Sequence, residues 1–294
     1  MVGYDLIIVG GGASGMLAAI EAKRSGIENV IVIEKDLELG GFLNLANYNI
    51  SENEKITGKE YKERLLKEYN ELKIETLLNT MVLNINDEKS VICTSPERGI
   101  EELRAKNIIL ANGAKDKGRN IINMPGDRCA GVITLGMAKK FLNAGDISLG
   151  NEIIIYGTEN LNTIIQDFKD KNVKIKTIIG DEKDSYSLTK NIYEGFKLKE
   201  ILGKGRVQSI VIEKDDKEKT LECDTLILAL GMLSDGIVGM RSNIKLNPAT
   251  TGPEVDGNLE TSRKTIFACG NGIYIHENIE SIEKEVKTLI KYIK

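Results

Sequence analysis

The chain has 294 residues, of which 41% are hydrophobic and 29% charged, and this composition indicates a globular protein rather than a disordered one. The formal net charge is −4, and no block of lysine or arginine stands apart from acidic neighbours, which argues against a nucleic-acid-binding surface. No apolar run approaches the roughly 20 residues that span a bilayer, and the N-terminus leads straight into a strand, so we expect a cytoplasmic protein without a membrane span.

The first 34 residues form a compact strand–helix–strand unit. The apolar run 4–9 ends in glycines, residues 14–25 have the pattern of a helix, and residues 29–34 are a second buried strand. A helix that connects two buried strands predicts parallel pairing and a right-handed crossover.

The remaining elements are predicted from apolar periodicity. Residues 58–72 indicate an amphipathic helix whose buried stripe is Tyr61, Leu65, Tyr69 and Leu72. Further strands are predicted at 80–86, 90–94, 107–111, 152–156, 173–179, 207–212, 225–230 and 265–269. A helix near 278–293 follows the last strand, with an apolar face formed by Ile279, Ile282, Val286, Leu289 and Ile293.

Two parts of the chain follow the same plan. Each opens with an apolar strand that ends in a glycine, at Gly10 and Gly157, and each closes with a buried strand and a glycine, at Gly113 and Gly231. We therefore predict an α/β protein with two Rossmann-like dinucleotide-binding domains, the second inserted in the first. The first domain is predicted to comprise residues 1–113 plus 232–294, and the second to comprise residues 114–231.

The loop after the first strand has the spacing Gly10-x-Gly12-x-x-Gly15. Gly10 permits the tight turn, Gly12 lets the backbone approach a diphosphate, and Gly15 lets the helix pack closely on the strand. The N–H groups of the first helical turn, which includes Ala13 and Ser14, are predicted to bind that diphosphate. Glu34 ends the second strand and is placed to accept hydrogen bonds from an adenosine ribose.

The glycine spacing alone does not distinguish FAD from NAD. Three later features favour FAD: Gly40-Gly41 lies just past Glu34, Asn112-Gly113 closes a later strand, and Gly270-Asn271 closes the last strand. An FAD-binding fold brings its chain back to the cofactor at such places. Lys35 is a further candidate contact to the adenosine, with a solvated lysine as the alternative.

These residues resemble the pyridine nucleotide–disulfide oxidoreductase superfamily. The resemblance implies a thioredoxin-reductase-like fold, bound FAD, and a contact between position 271 and the flavin ribityl chain. Asn271 stands where the family typically has an aspartate, so its amide can form hydrogen bonds but carries no charge.

Several runs resemble one branch of that superfamily, which contains hydrogen cyanide synthase, opine and sarcosine oxidase subunits and the flavoproteins that accompany anaerobic glycerol-3-phosphate dehydrogenase. The runs are GGFLN at 40–44, TGxxY at 57–61, MPGDRCAGV at 124–132, TGPEVD at 251–256 and FACGN at 267–271. This resemblance implies a partner oxidoreductase subunit and a homodimer.

The second glycine loop departs from the family. After Gly157, Glu159 stands where a residue without a Cβ would admit the diphosphate, and Asn162 stands where close helix–strand packing is needed. A carboxylate about 4 Å from a phosphate charge makes the free energy of nucleotide binding less favourable by roughly 1–4 kcal/mol. No arginine cluster for a 2′-phosphate follows in residues 180–187. We expect no productive NAD(P)H binding here; the alternative is that the loop binds through a different backbone path.

The predicted flavin face also lacks thiol chemistry. Relatives often carry Gln-Cys-x-His where this chain has Leu-Ala-Asn-Tyr at 45–48. Cys93, Cys129, Cys223 and Cys269 are too far apart for a Cys-x-x-Cys pair or a zinc knuckle, so we expect buried or partly buried thiols, with a functional Cys129 as the alternative.

His276 is the only histidine and precedes the last helix. The resemblance implies that this segment, including Asn278, runs close to the flavin, where a helix N-terminus stabilises negative charge on the reduced ring. His276 is the candidate catalytic residue, as a proton donor; the alternative is a helix-entry residue at the surface or in a subunit contact. One histidine leaves no Ser/His/Asp constellation and no metal cluster.

Three functions follow from these observations. The leading hypothesis is an FAD-dependent oxidoreductase subunit that exchanges electrons with a partner dehydrogenase. The second is a self-sufficient NAD(P)H-dependent flavin oxidoreductase. The third, from another class, is a non-enzymatic flavin-bound scaffold or sensor.

Overall fold

A computed structural model describes residues 3–143, 147–181 and 187–293. The chain divides into two compact units. The first comprises the residues up to Lys115 together with those from Leu233 onwards, and the second comprises Asp116–Met232. The second unit is therefore an insertion in the first.

Strands and helices are numbered in chain order. The N-terminal part contains β1 (Gly3–Val9), α1 (Ala13–Arg24), β2 (Val30–Ile33), α2 (Gly58–Glu71), β3 (Glu75–Leu77), β4 (Met81–Ile85), β5 (Ser90–Ser95) and β6 (Gly99–Leu110). The middle part contains β7 (Ala114–Asp116), β8 (Val132–Thr134), α3 (Leu135–Asn143), β9 (Ile153–Glu159), α4 (Ile165–Asp170), β10 (Ile175–Ile179), β11 (Ile192–Tyr193), β12 (Lys197–Leu202), β13 (Ser209–Lys214), β14 (Lys217–Glu222), β15 (Thr225–Leu230) and β16 (Met232–Ser234). The C-terminal part contains α5 (Ile237–Arg241), β17 (Ile266–Ala268) and α6 (Ile279–Ile293).

The first unit is built on a seven-stranded sheet in the order β3-β2-β1-β6-β5-β4, with β17 also paired to β6. Strands β1, β2, β3 and β17 are parallel to the C-terminal half of β6, whereas β5 pairs antiparallel both with the N-terminal half of β6 and with β4. Val9 pairs with Ile33 and Leu110, and Leu110 pairs with Ala268. Four parallel strands therefore reach the same row at their carboxyl ends.

The two faces of this sheet have separate cores. Leu6 and Ile8 of β1 pack with the apolar sides of α1, α2 and α6. Ile7 and Val9, which point to the opposite face because successive strand residues alternate, pack with residues of β4, β5 and α5. Both faces of β1 are covered, which explains its uninterrupted apolar sequence.

The second unit repeats the plan. Its main sheet has the order β11-β10-β9-β15-β8 with all pairs parallel, and β12-β13-β14 form a separate antiparallel sheet. Tyr156 pairs with Ile179 and Leu228, and Leu228 pairs with Thr134, so these carboxyl ends are again in register. The predicted fold class, with two Rossmann-like domains, is confirmed.

Strands β12 and β14 were not predicted. Strand β14 has the sequence KEKTLE and exposes most of its side chains, so it has no apolar alternation. Its six residues pair with β13 through the backbone, and that pairing defines the strand. Among the described helices, none combines the length and apolar composition required to cross a bilayer.

Candidate functional site

The candidate site lies at the carboxyl edge of the first sheet. The row formed by Val9, Ile33, Leu110 and Ala268 is followed by Gly10, Glu34, Ala111 and Cys269. In open parallel sheets, ligands bind outside the carboxyl ends of the strands. Most of the predicted cofactor-binding residues lie in the loops that leave this edge.

The three glycines of the first loop have different surroundings. A Cβ on Gly10, whose φ is +106°, would lie 2.4 Å from the carbonyl oxygen of Ala111. A Cβ on Gly15 would lie 1.8 Å from the carbonyl oxygen of Gly10. A Cβ on Gly12 would have no protein atom within 4 Å. Gly10 and Gly15 are therefore required by packing, whereas Gly12 leaves open space.

The N-terminus of α1 lacks a side-chain cap. Gly12 is its N-cap residue, and the first turn, which includes Ala13 and Ser14, contains no acidic residue. By contrast, α2 begins with a capping box of Thr57 and Glu60. The unpaired N–H groups and the positive end of the helix dipole therefore suit an anion at Gly12.

Glu34 is buried beside this loop. It is 5% exposed, and its carboxylate accepts hydrogen bonds from the N–H groups of Gly11 at 2.6 Å and Asp36 at 2.8 Å. Lys35 is exposed, and its ammonium lies 3.6 Å from the Asp36 carboxylate. The acid faces the glycine loop, whereas the lysine faces solvent.

Gly40 and Gly41 lie against the same loop. The Gly40 N–H donates to the Gly11 carbonyl at 2.9 Å, and Gly40 forms an isolated bridge with Gly12. A Cβ on Gly41 would lie 3.2 Å from the Gly12 Cα. Both glycines have positive φ, at +116° and +51°, so the close approach and the turn both favour residues without side chains.

Two further turns complete the edge. A Cβ on Gly272 would lie 3.5 Å from the Asn112 nitrogen and 3.6 Å from the Gly113 nitrogen. Gly270 has a φ of +64°, and a Cβ there would lie 1.8 Å from the Ser14 hydroxyl. The loops after β1, β6 and β17 are thus in mutual contact, although their residues lie far apart in the sequence.

Asn271 is held by His276. Its carbonyl oxygen lies 2.9 Å from the His276 backbone N–H and 3.1 Å from the His276 Nδ1. The His276 side chain is 1% exposed and stacks on Tyr274, with ring centroids 4.2 Å apart. The side chain is buried within the first unit, so the predicted alternative of a position at the surface is wrong for it, whereas the subunit contact stays a prediction.

Glu285 of α6 joins this cluster and was not predicted from the sequence. One carboxylate oxygen accepts the Gly270 N–H at 2.5 Å, and the other lies 3.3 Å from the His276 Nε2. The second contact has an ion-pair distance, but its angle is not that of a hydrogen bond. Glu285 lies three residues after the buried Ile282, beside the apolar stripe, where an acid is ordinarily solvated.

Asn278 has a local role in the structure. Its carbonyl oxygen accepts the Ser281 N–H at 3.0 Å and so caps α6, while its amide group donates to Glu52 at 2.7 Å. Both ends of the side chain are therefore engaged by neighbouring protein groups.

The corresponding loop of the second unit follows a different path. Gly157 has a φ of +86°, and a Cβ there would lie 2.3 Å from the Ala229 carbonyl oxygen, as at Gly10. Strand β9 then runs on to Glu159, and Asn160 adopts a left-handed conformation with φ of 61°. A 3-10 turn at Leu161–Thr163 precedes the six-residue helix α4. At the position of the second unit that corresponds to the start of α1, the described chain therefore has no long helix.

The second edge also lacks the acid. Ile179 ends the row that corresponds to Ile33, so Gly180 occupies the position of Glu34. A Cβ on Gly180 would lie 2.6 Å from the Thr158 methyl group, and the next acid, Asp181, accepts the Gly195 N–H at 2.7 Å. Residues 182–186, within the stretch that contains no arginine cluster, lie outside the described residues.

Comparisons with known proteins agree with this architecture. Residues 4–158 match the family described as pyridine nucleotide-disulphide oxidoreductase. An alkyl hydroperoxide reductase subunit of Staphylococcus aureus is 24% identical over 284 residues, which cover 91% of this chain and 54% of that protein. Hydrogen cyanide synthase subunit HcnB from Pseudomonas protegens is 27% identical over 164 residues, covering 54% of this chain and 34% of that protein.

A thioredoxin reductase from T. acidophilum has a similar fold. Its TM-score is 0.75 at 19% identity, and the match covers 99% of this chain and 97% of that one. The chain spans about half the length, or less, of the two curated relatives.

Proposed function

The chain belongs to the pyridine nucleotide-disulphide oxidoreductase family, and on this premise we propose that its first unit binds FAD and exchanges electrons with a partner oxidoreductase subunit. Membership confirms the family and the class, an FAD-dependent oxidoreductase, that the sequence predicted. The family assignment does not identify the electron donor, the electron acceptor or the partner, and these belong to the proposal.

The edge of the first sheet fits an adenine dinucleotide. Open space at Gly12 and the uncapped N-terminus of α1 fit a diphosphate. Glu34 supplies a buried carboxylate at the ribose position, and Gly40-Gly41 keeps the returning chain close without side chains. The side-chain oxygen of Asn112, Oδ1, is buried without a hydrogen-bond partner among the described residues, as a group that faces a ligand would be.

The remaining residues of the edge would hold the flavin half of the cofactor. Gly113, Gly270 and Asn271 lie on the turns that meet beside Ser14, and they supply backbone and amide groups. When bound, the flavin supplies a group that accepts and releases electrons. The described chain offers no Cys-x-x-Cys pair, so its own residues bind, orient and hydrogen-bond rather than carry electrons.

The observation that carries the partner proposal is the loop after Gly157. If the second unit bound a nicotinamide dinucleotide in the way proposed for FAD in the first unit, it would need a helix N-terminus, space at the second glycine and an acid at the end of the next strand. The second unit has a 3-10 turn, Glu159 and Gly180 in these places. A carboxylate near a diphosphate lowers affinity further. These features support a supply of electrons from another protein.

The names of two relatives agree with an assembly of several subunits. Hydrogen cyanide synthase HcnB and the matched alkyl hydroperoxide reductase chain are each named as one subunit of an enzyme. A homodimer remains part of the proposal.

An anaerobic titration of the flavin-loaded protein tests this function. We expect NADH and NADPH to leave the visible flavin absorbance unchanged, whereas dithionite, a chemical reductant, bleaches it. Ferricyanide should then restore the absorbance quickly, because a partner-fed flavin must be accessible to an external acceptor.

Two outcomes would overturn the proposal. Stoichiometric bleaching of the flavin by NADH or NADPH would establish the self-sufficient oxidoreductase. The alkyl hydroperoxide reductase match, which covers 91% of this chain, favours that alternative. A flavin that ferricyanide cannot reoxidise would favour the scaffold or sensor.

A further inference from the structure

The orientation of the Asn271 amide is fixed by the protein. The His276 backbone N–H can only donate, so the Asn271 atom 2.9 Å away is the carbonyl oxygen. Because the same oxygen faces the His276 Nδ1 at 3.1 Å, that ring nitrogen carries a proton. The Asn271 amino group therefore points away from His276, and none of the described residues accepts a hydrogen bond from it.

The His276 ring is fixed in turn. Its side chain is buried, Tyr274 stacks on one face, and its Nε2 lies 3.3 Å from the Glu285 carboxylate. This contact has the distance of an ion pair but not the geometry of a hydrogen bond. His276 thus links Asn271 on one side to Glu285 on the other.

Glu285 contacts the turn that contains Gly270 and Asn271, directly at Gly270 and through His276 at Asn271. Besides His276, it accepts the N–H of Gly270, whose left-handed conformation starts the turn. The helix that carries Glu285 is anchored in the core by Val286 and Leu289, which are fully buried. The side chains of His276 and Glu285 therefore connect Asn271 to helix α6 and fix its orientation.

We propose that His276 and Glu285 are positioning residues, which hold the Asn271 amide so that its amino group is presented to the cofactor as a hydrogen-bond donor. This inference rests on the proposed FAD site. It replaces the proton-donor role for His276, because the Nδ1 proton is engaged by Asn271 and the Nε2 faces Glu285. An aspartate at position 271 would offer an acceptor at that place instead.

The ring tautomer gives a test that needs no cofactor. Because His276 is the only histidine, the imidazole ¹⁵N spectrum of tag-free protein reports this residue alone. We expect a ring protonated at Nδ1, either as the neutral Nδ1–H form or as the doubly protonated ring. A neutral Nε2–H ring would overturn the proposal.

A double-mutant cycle tests the coupling to the cofactor. His276→Ala should raise the FAD dissociation constant about 3- to 10-fold, the effect of one hydrogen bond. In an Asn271→Ala background, the same change should have less than about a 2-fold effect, because His276 acts through Asn271. Equal effects in both backgrounds would overturn the proposal.

Substitutions on α6 complete the test. Glu285→Ala should weaken FAD binding as His276→Ala does, whereas Glu285→Gln should retain it, because a glutamine still accepts the Gly270 N–H. Glu283→Gln is the matched control, since Glu283 lies on the same helix and binds the Tyr61 hydroxyl instead. Equal effects of Glu283→Gln and Glu285→Ala would contradict the proposal.

Folding and function remain distinguishable in these experiments. Thermal unfolding of each variant without FAD shows whether it folds, and His276→Gln, which keeps an N–H donor, serves if His276→Ala does not. If the wild-type protein binds no FAD, the proposed function fails, while the ¹⁵N spectrum still decides the orientation of Asn271.

Discussion

Gly10 and Gly157 hold equivalent positions at the carboxyl edges of the main sheets of the two units, and each allows the same close approach to a neighbouring strand. A Cβ would lie 2.4 Å from the Ala111 carbonyl oxygen in the first unit and 2.3 Å from the Ala229 carbonyl oxygen in the second. The second loop has thus kept the glycine that packing requires. At the next glycine position, where the first unit leaves open space at Gly12, it carries Glu159.

Gly157→Ala should destabilise the second unit although we propose no nucleotide there. The new Cβ meets a backbone oxygen at a positive φ, so we expect a loss of about 3 kcal/mol of unfolding free energy. Gly205→Ala is the control, because Gly205 has a φ of +78° but no atom near its Cβ position. Its cost should be about 1 kcal/mol of conformational strain. Equal losses in urea denaturation would contradict the packing role of Gly157.

The first loop should separate folding from binding. Gly12→Ala meets no protein atom and has an ordinary backbone conformation, with φ of −76°, so the unfolding free energy without FAD should change by less than about 1 kcal/mol. FAD affinity should fall at least about 10-fold, because the methyl group occupies the space proposed for the diphosphate.

Gly15→Ala is the opposite case. Its Cβ would overlap the Gly10 carbonyl oxygen, so the protein without FAD should lose stability or fail to fold. Calorimetry without FAD and flavin fluorescence titration measure the two effects. Unchanged FAD affinity in Gly12→Ala would argue against a diphosphate at this loop.

The sequence was sufficient to predict the strand ends because their signals are local. The glycine spacing from Gly10 to Gly15 and the acid at Glu34 follow buried apolar runs, and parallel strands bring such ends to one edge. The sequence did not predict which residues of the distant loops contact one another. Ser14 packs on Gly270, and neither residue is unusual in its own segment.

Glu285 shows a second limit of the sequence. On a helical wheel it lies at the border of the apolar face, where an acid is ordinarily exposed. Only the return of the chain after β17 brings its carboxylate to Gly270 and His276. The role of His276 was unclear from the sequence for the same reason, since its partners come from a turn and from a helix.

Cys129 should be the thiol that reacts first in the folded protein. It is partly exposed, whereas Cys93, Cys223 and Cys269 are buried. Burial raises the pKa of the Cys223 thiol to about 12 and also raises the pKa of Cys93 and Cys269, so little reactive thiolate forms at these positions.

Iodoacetamide labelling at neutral pH, read by mass spectrometry of peptides, tests this order. We expect modification at Cys129 alone in the native protein, at all four cysteines after denaturation, and at none in native Cys129→Ser. Early labelling of Cys269 would show that the turn after β17 opens readily.

Glu280 should make the start of α6 sensitive to acid. Burial alone would raise the pKa of this carboxyl, but hydrogen bonds from the Ser51 hydroxyl and the N–H groups of Glu52 and Asn53 outweigh it and hold the pKa below its ordinary value of 4.5. A group whose pKa is depressed by folding stabilises the protein above its unfolded pKa and loses this contribution as the pH falls through its folded pKa. The unfolding free energy of the wild-type protein should therefore exceed that of Glu280→Gln at neutral pH, and the difference should shrink below about pH 4.5. Urea denaturation across this range measures it, with Glu283→Gln as the control on the same helix. A difference that stays constant with pH would show that the hydrogen bonds to residues 51–53 do not depend on the Glu280 charge.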